Sequence, residues 1–300
     1  MSELQKMVAK SIQILKDFQP ENENYYVCYS GGKDSDCIRI LCELAGVKYD
    51  LVHNHTTADA PETVYYVRSI PNVTIEHAYY KDGSPKTMWN LIVKKKYPPT
   101  RIARYCCAHL KEVGGVGRLK VTGVRAYESK NRADNSGLVT FKSRPISTVK
   151  LARSVLNESE YTTNKFGNVV LHFDNPASVS FTHQCYATGD VTIQPIIDWT
   201  DKDVWDFLHY YGCKSNPLYE CGFKRVGCIG CPLGGAKSQY KEFGLYPKIK
   251  ANYIRAFDRM IKTSPYLYSN WKTGFDVFQW WLGEMPGQMS FFDDELGGCI

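Results

Sequence analysis

The run Ser30-Gly31-Gly32-Lys33-Asp34-Ser35 packs two adjacent glycines, a lysine and two hydroxyls into six residues. Glycines let a backbone turn tightly and aim its N–H groups at an anion. Lys33 adds a full positive charge, and Ser30 and Ser35 can donate hydroxyl hydrogen bonds. That chemistry suits a phosphate. The spacing is not that of a Walker loop, whose two glycines stand about five residues apart ahead of the lysine. A second grouping is Cys213, Cys221, Cys228 and Cys231, spaced C-x7-C-x6-C-x2-C. Four soft thiolates on so short a stretch are a metal signal, because closing the loops costs little entropy. Gly222, Gly227 and Gly230 supply the permissive backbone that wrapping a metal centre requires. A tetrahedral set of four cysteines suits structural zinc and an iron–sulfur cluster alike.

Both groupings need elements to hold them. Leu4, Val8, Ile12, Leu15 and Phe18 stand at helical spacing. A short strand over Tyr25–Tyr29 leads into the phosphate-type loop. A helix then carries Ile38, Leu41, Cys42 and Ala45 on one face and stops at Gly46. A phosphate cradle belongs in such a strand-turn-helix setting, where the positive end of the helix assists. Strand patterns recur at Tyr49–His53 and Val73–Ala78, with a helix started by Pro61 between them. Lys120–Val124 and Thr192–Ile197 read as buried strands. This alternation predicts an α/β fold, a doubly wound parallel sheet. Residues 131–190 show no clear period and are expected to be an insertion. Helices are expected around Ile249–Ile261 and Trp271–Leu282, with aromatic stripes that suit a core. The expected organisation is a nucleotide-binding domain over 1–235 and a helical C-terminal extension over 236–300.

Composition narrows the class. Hydrophobic residues make up 43% and charged residues 23%, which excludes intrinsic disorder. No apolar run approaches the ~18 residues of a membrane span, and the first 18 residues do not read as a signal peptide. Eleven cysteines without a secretory signal point to a reduced, cytoplasmic protein. The net charge of +6 is unevenly spread: Lys86–Arg153 holds 16 basic residues against three acids. Such a field attracts a polyanion, whether a nucleotide, a nucleic acid (DNA or tRNA) or a partner's acidic face.

Several motifs together resemble one family. Ser30–Ser35 after a first strand resembles the pyrophosphate loop (PP-loop) of the ATP pyrophosphatases, the adenine nucleotide alpha hydrolase superfamily. Pro61-Glu62-Thr63, Cys106-Cys107 with Leu110-Lys111, and Thr122-Gly123-Val124-Arg125 with Glu128, Ser129 and Arg132 resemble segments of its phosphoadenosine phosphosulfate (PAPS) reductase branch. So do Pro195-Ile196 with Asp198-Trp199 and Val204-Trp205, and Asn216-Pro217-Leu218-Tyr219 leading to Gly227-Cys228 and Cys231-Pro232. These matches run from about Tyr25 to Gly235 in the family's order. The pattern is most similar to that of iron–sulfur DNA phosphorothioation sulfur-transfer proteins.

The resemblance implies an adenine nucleotide at the C-terminal edge of the sheet. Its phosphates would lie on Ser30, Gly31, Gly32, Lys33, Asp34 and Ser35, with Gly123, Arg125 and Arg132 beside them. Adenylyl-sulfate reductases usually carry a loop without this lysine, because adenylyl sulfate has no β- or γ-phosphate. A complete S-G-G-K-D-S therefore points to ATP, with attack at the α-phosphate, pyrophosphate release and sulfur transfer to an acceptor. Lys33, Arg125, Cys106 and Cys107 are then the candidate catalytic residues, and Mg2+ is a candidate companion ion. The alternatives are thiol-dependent reduction of adenylyl sulfate or PAPS to sulfite, and a non-catalytic nucleotide-sensing subunit. A sulfur donor or partner protein is also implied.

The same resemblance tips the metal to a [4Fe–4S] cluster. It offers two ligand sets: the local quartet Cys213, Cys221, Cys228 and Cys231, which is the expectation, or Cys106, Cys107, Cys228 and Cys231 as in the adenylyl-sulfate reductases. With the local quartet, Cys106 and Cys107 would be free to carry persulfide sulfur, or simply be packed near the nucleotide. Cys28, Cys37 and Cys42 are expected in the core. Cys299 is expected to be an incidental tail cysteine, since it lacks the glutamate and histidine that flank the reductases' C-terminal nucleophile.

Overall fold

The strand-helix alternation is realised in the computed structural model, which describes residues 2–142, 146–268 and 271–283. Cys299 lies outside them. The first half runs α1 (Glu3–Asp17), β1 (Tyr25–Cys28), α2 (Lys33–Ala45), β2 (Tyr49–His55), α3 (Pro61–Ser69), β3 (Val73–His77), α4 (Met88–Lys95) and β4 (Lys120–Val121). Next come α5 (Lys130–Asn135), β5 (Val139–Lys142), α6 (Ile146–Val155), β6 (Tyr161–Thr163), β7 (Val169–Leu171) and α7 (Pro176–Cys185). The last part is β8 (Asp190–Ile193), α8 (Asp201–Tyr210), α9 (Ala236–Leu245), α10 (Pro247–Thr263) and α11 (Gly274–Leu282).

The eight strands form one sheet in the order β3-β2-β1-β4-β8-β5-β7-β6. β2, β1, β4 and β8 are parallel, with Tyr26 opposite Lys120 and Val121 opposite Ile193. The segment over 131–190, expected as an insertion, extends the sheet: β5 runs antiparallel to β8 and β7, and β6 antiparallel to β7. Its strands are three or four residues long, too short for a period of two to be legible in sequence.

By its internal contacts the chain divides into two units. The first comprises residues 1–54, 61–76 and 113–226, and the second 55–60, 77–112 and 227–300. The expected boundary at 235/236 does not follow this division, because the second unit recruits two earlier segments. Val27, Leu41, Val121, Ile193 and Phe207 lie at the centre of the first unit's core. Ring contacts among Phe243, Tyr253, Phe257, Phe278 and Trp281 build the second. There Trp281 Nε1 donates to Pro99 O at 2.6 Å, which satisfies the indole N–H inside an apolar cluster. No helix among the described residues is long and apolar enough to cross a membrane.

Candidate functional site

β1 delivers Ser30–Ser35 to the C-terminal edge of the parallel strands, and α2 begins at Lys33. Gly31 has φ +73°, and a β-carbon there would stand 2.8 Å from Val67 Cγ2, so only glycine fits. Ser35 Oγ donates to Gly32 O at 2.8 Å and accepts from Gly32 N at 3.2 Å. Lys33 N donates to Tyr219 Oη at 2.9 Å. Asn216, fully buried, donates from Nδ2 to Gly31 O at 3.0 Å and to Thr63 Oγ1 at 3.2 Å. The P-E-T and N-P-L-Y motifs thus brace the loop from behind. Neither Asn216 nor Tyr219 stood among the candidate site residues, although their motif was visible; no local pattern says what a distant side chain will touch.

Beside the loop lies a charge network whose two cations, Lys33 and Arg125, are buried. Lys33 Nζ is 3.2 Å from Asp34 Oδ2 and 3.2 Å from Asp201 Oδ1. Arg125 Nε donates to Asp34 Oδ1 at 2.7 Å, Nη2 to Asp201 Oδ1 at 2.6 Å and Nη1 to Trp199 O at 3.3 Å. Only 2% of Arg125 is exposed. Burial acts to raise the Asp201 carboxyl's pKa, yet Arg125 and Lys33 hold it below its ordinary value. Asp201 opens α8, where Thr200 and Asp203 form a capping box and the helix end favours a carboxylate. Arg125, expected beside the phosphates, thus has its guanidinium held by two carboxylates and a carbonyl. Arg132 pairs with Glu128, whose Oε1 also accepts from Arg125 N. Gly123 passes so close to the loop that a β-carbon would lie 2.6 Å from Asp34 O.

The cysteines separate by unit. Cys106, Cys107, Cys228 and Cys231 line one cavity of the second unit, together with Thr56, Lys111 and Tyr253. All four are free of disulfides. Cys106 precedes a wide helical turn over Cys107–Lys111, in which Glu112 N donates to Cys107 O at 2.9 Å. Cys228 is bridged to Asp59 and donates to Thr56 Oγ1 at 3.3 Å. Gly230 turns the C-x-x-C with φ +74°; its N donates to Glu242 Oε2 at 2.6 Å and its O accepts from Gln239 Nε2 at 2.9 Å. A hydrogen bond from Cys106, with Arg104 and Lys111 close by, pulls the Cys107 thiol down, and the same bond pushes Cys106 up. Desolvation raises Cys228 to about 11, against the pull of Lys111. The Lys111 ammonium is itself held above its ordinary value, chiefly by the Cys228 sulfur.

Cys213 and Cys221, the other half of the favoured quartet, belong to the first unit. Cys213 Sγ lies 3.9 Å from Arg39 Nη2, and Cys221 is exposed. The structure therefore gathers the rival set on one cavity wall and divides the local quartet between units. Soft thiolates of one type with cations beside them fit a cluster's negative charge. Cys37 and Cys42 are core residues as expected, while Cys28 is only partly buried.

Folding also redistributes the basic segment. Arg118, Lys120, Arg125, Arg132 and Lys142 fall in the first unit and are all in ion pairs. Lys86 to Lys111 fall in the second unit, where the described residues hold 16 Lys/Arg against six Asp/Glu.

A model of the phosphoadenosine phosphosulfate reductase domain matches residues 24–233. An uncharacterised protein of Methanocaldococcus jannaschii is 22% identical over 269 residues, covering 85% of this chain and 54% of its own length. The adenosine 5'-phosphosulfate reductase of Anoxybacillus flavithermus is 38% identical over 42 residues, 14% of this chain and 18% of that one. This chain thus spans about half the length of the first relative and a smaller share of the second. Among solved structures, the phosphoadenylyl-sulfate reductase of Candida auris aligns with a TM-score of 0.41 at 15% identity, covering 76% of this chain and 96% of that one.

Proposed function

This chain belongs to the phosphoadenosine phosphosulfate reductase domain family, and on that premise we propose that it is an enzyme that spends ATP on sulfur transfer. ATP lies along the sheet's C-terminal edge with its phosphates on Ser30–Ser35. An acceptor oxygen attacks the α-phosphorus, the bond to the bridging oxygen breaks, and pyrophosphate leaves. A sulfur nucleophile, brought by a donor or partner protein, then displaces AMP, which carries the acceptor's oxygen away.

One observation carries this reading. The Lys33 ammonium stands at the first turn of α2 on the phosphate loop, held by Asp34 and Asp201. ATP's β- and γ-phosphates have a use for that cation, whereas adenylyl sulfate lacks both. The Gly31 and Gly32 backbone and the positive end of α2 orient the phosphates. Arg125 keeps Asp34 and Asp201 in place, so its role is to position Lys33. Both nearby carboxylates are already in ion pairs, so Mg2+ would arrive on the nucleotide's own phosphates.

Cys106, Cys107, Cys228 and Cys231 would hold a [4Fe–4S] cluster, with Arg104 and Lys111 offsetting its charge. When bound, such a cluster would supply electron or sulfur chemistry to the acceptor. This same set favours a second reading, because the resemblance assigns it to enzymes that reduce adenylyl sulfate or PAPS to sulfite. Product analysis of anaerobically purified protein separates the two. Pyrophosphate from ATP supports sulfur transfer, and sulfite from PAPS or adenylyl sulfate with no pyrophosphate from ATP overturns it. Nucleotide binding without either product would leave a sensing subunit.

A further inference from the structure

α10 carries four exposed cations, Lys248, Arg255, Arg259 and Lys262. At about 100° per residue they fall within an arc of roughly 60°, a single stripe about 21 Å long. Among the described residues none of the four is in an ion pair. Arg255 bonds Asn252 on the same helix, and Arg259 Nη2 donates to Asn90 Oδ1 of α4 at 3.3 Å. That bond sets the stripe against α4, whose end carries Lys94, Lys95 and Lys96. Past the end of α10, Tyr266 is 76% exposed, and Lys96 Nζ lies 3.4 Å from its hydroxyl and 5.9 Å from its ring centre. The one acid of α10, Asp258, stands off the stripe and accepts from Gly274 N at 2.6 Å.

We propose that this stripe, with the end of α4 and Tyr266, is a docking surface for a nucleic-acid backbone. The proposal does not depend on what happens to ATP. Four unpaired cations in line would repel one another unless a polyanion covered them. Their 21 Å extent matches about six phosphates of a duplex strand at 3.4 Å each. An exposed tyrosine beside a lysine offers a base a stacking platform. A bilayer is the poorer partner: the apolar face of α10, with Tyr253, Phe257 and Met260, is already buried, so this helix has no apolar face of its own to enter lipid.

The test is salt-dependent binding of the full-length protein to labelled 20-mers of single-stranded DNA, single-stranded RNA and duplex DNA. Four phosphate contacts predict that raising salt from about 50 to 200 mM weakens single-strand binding about 50-fold and duplex binding about 150-fold. Replacing Lys248, Arg255, Arg259 and Lys262 by Gln should flatten the log–log slope by about 3 and 3.6 units respectively, with an unchanged thermal melt. Tyr266→Ala should weaken single-strand binding at least about fivefold and leave duplex binding nearly intact. A control with Lys6, Lys10, Lys16 and Lys202 changed to Gln removes the same charge from the first unit. Equal losses in that control would reduce the effect to net charge and overturn the proposal. So would an unaltered slope in the stripe variant, no binding of any polymer at 50 mM salt, or equally tight binding of polyglutamate or phosphatidylserine vesicles.

Discussion

Replacing Lys33 by Ala removes the positive charge that follows the glycine turn of the phosphate loop. A charge-assisted contact is worth about 1.5–3 kcal/mol, which corresponds to about ten- to 150-fold in affinity. The structure places the effect toward the lower part of that range. Nζ sits 3.2 Å from both Asp34 and Asp201, so the wild-type lysine must share itself between those carboxylates and the phosphates. Without the ammonium, Asp34 and Asp201 face an incoming triphosphate with Arg125 alone to offset them, a repulsion that adds to the loss. ATP affinity in calorimetry should therefore fall by at least about tenfold, and AMP affinity by less than about threefold. Lys33→Met, which keeps the buried stem, should match Lys33→Ala if charge is the cause. Asp201→Asn should move the other way and tighten ATP slightly, because Lys33 loses a competitor. Equal losses for ATP and AMP in both Lys33 variants would refute the placement of β- and γ-phosphates beside Lys33.

Anaerobically purified protein should hold about four irons per chain. Ser at Cys106, Cys107, Cys228 or Cys231 should empty the site, while Ser at Cys213 or Cys221 should leave iron content unchanged; the reverse pattern restores the local quartet. Arg125→Met removes a buried cation and leaves Asp34 and Asp201 with Lys33 alone to offset them, so denaturant unfolding should show a loss of about 3 kcal/mol, the low end for such pairs because Asp201 is largely exposed. Gly123→Ala forces a β-carbon against Asp34 O and should cost about 1–3 kcal/mol while weakening nucleotide binding. Asp36 is fully buried between Tyr29 and Tyr66, and burial raises its carboxyl from 3.8 to about 6. The native state thus holds this proton more tightly than the unfolded one. The penalty is absent below about pH 4, grows as pH rises to about 6, and is full above it at about 3 kcal/mol. Asp36→Asn should flatten the dependence of Tm on pH between those limits and be the more stable protein at pH 7; a profile parallel to wild type would reject the shift.

What the sequence by itself determined is local. Two glycines ahead of a lysine, between a strand and a helix, dictate a tight turn, because the positive φ of Gly31 favours glycine. The helical periods of α1, α2, α10 and α11 and the parallel strands before and after the loop follow from side-chain spacing in the same way. Tertiary structure decided what meets across long separations. Spacing favoured Cys213 and Cys221 as partners of the C-x-x-C, since nearby residues close loops cheaply. The fold instead brings Cys106 and Cys107 to Cys228 and Cys231, because residues 77–112 join the C-terminal helices around one aromatic core. The same holds for charge. Along the chain the basic excess ends at Arg153, but in space Arg118, Lys120, Arg125 and Arg132 meet Asp50, Asp190, Asp34, Asp201 and Glu128. In the second unit Arg259 of α10 bonds Asn90 of α4, and Lys96 just past α4 lies against Tyr266. Charge that a window of sequence can count becomes a field only when the fold decides which counter-charges lie within a Debye length.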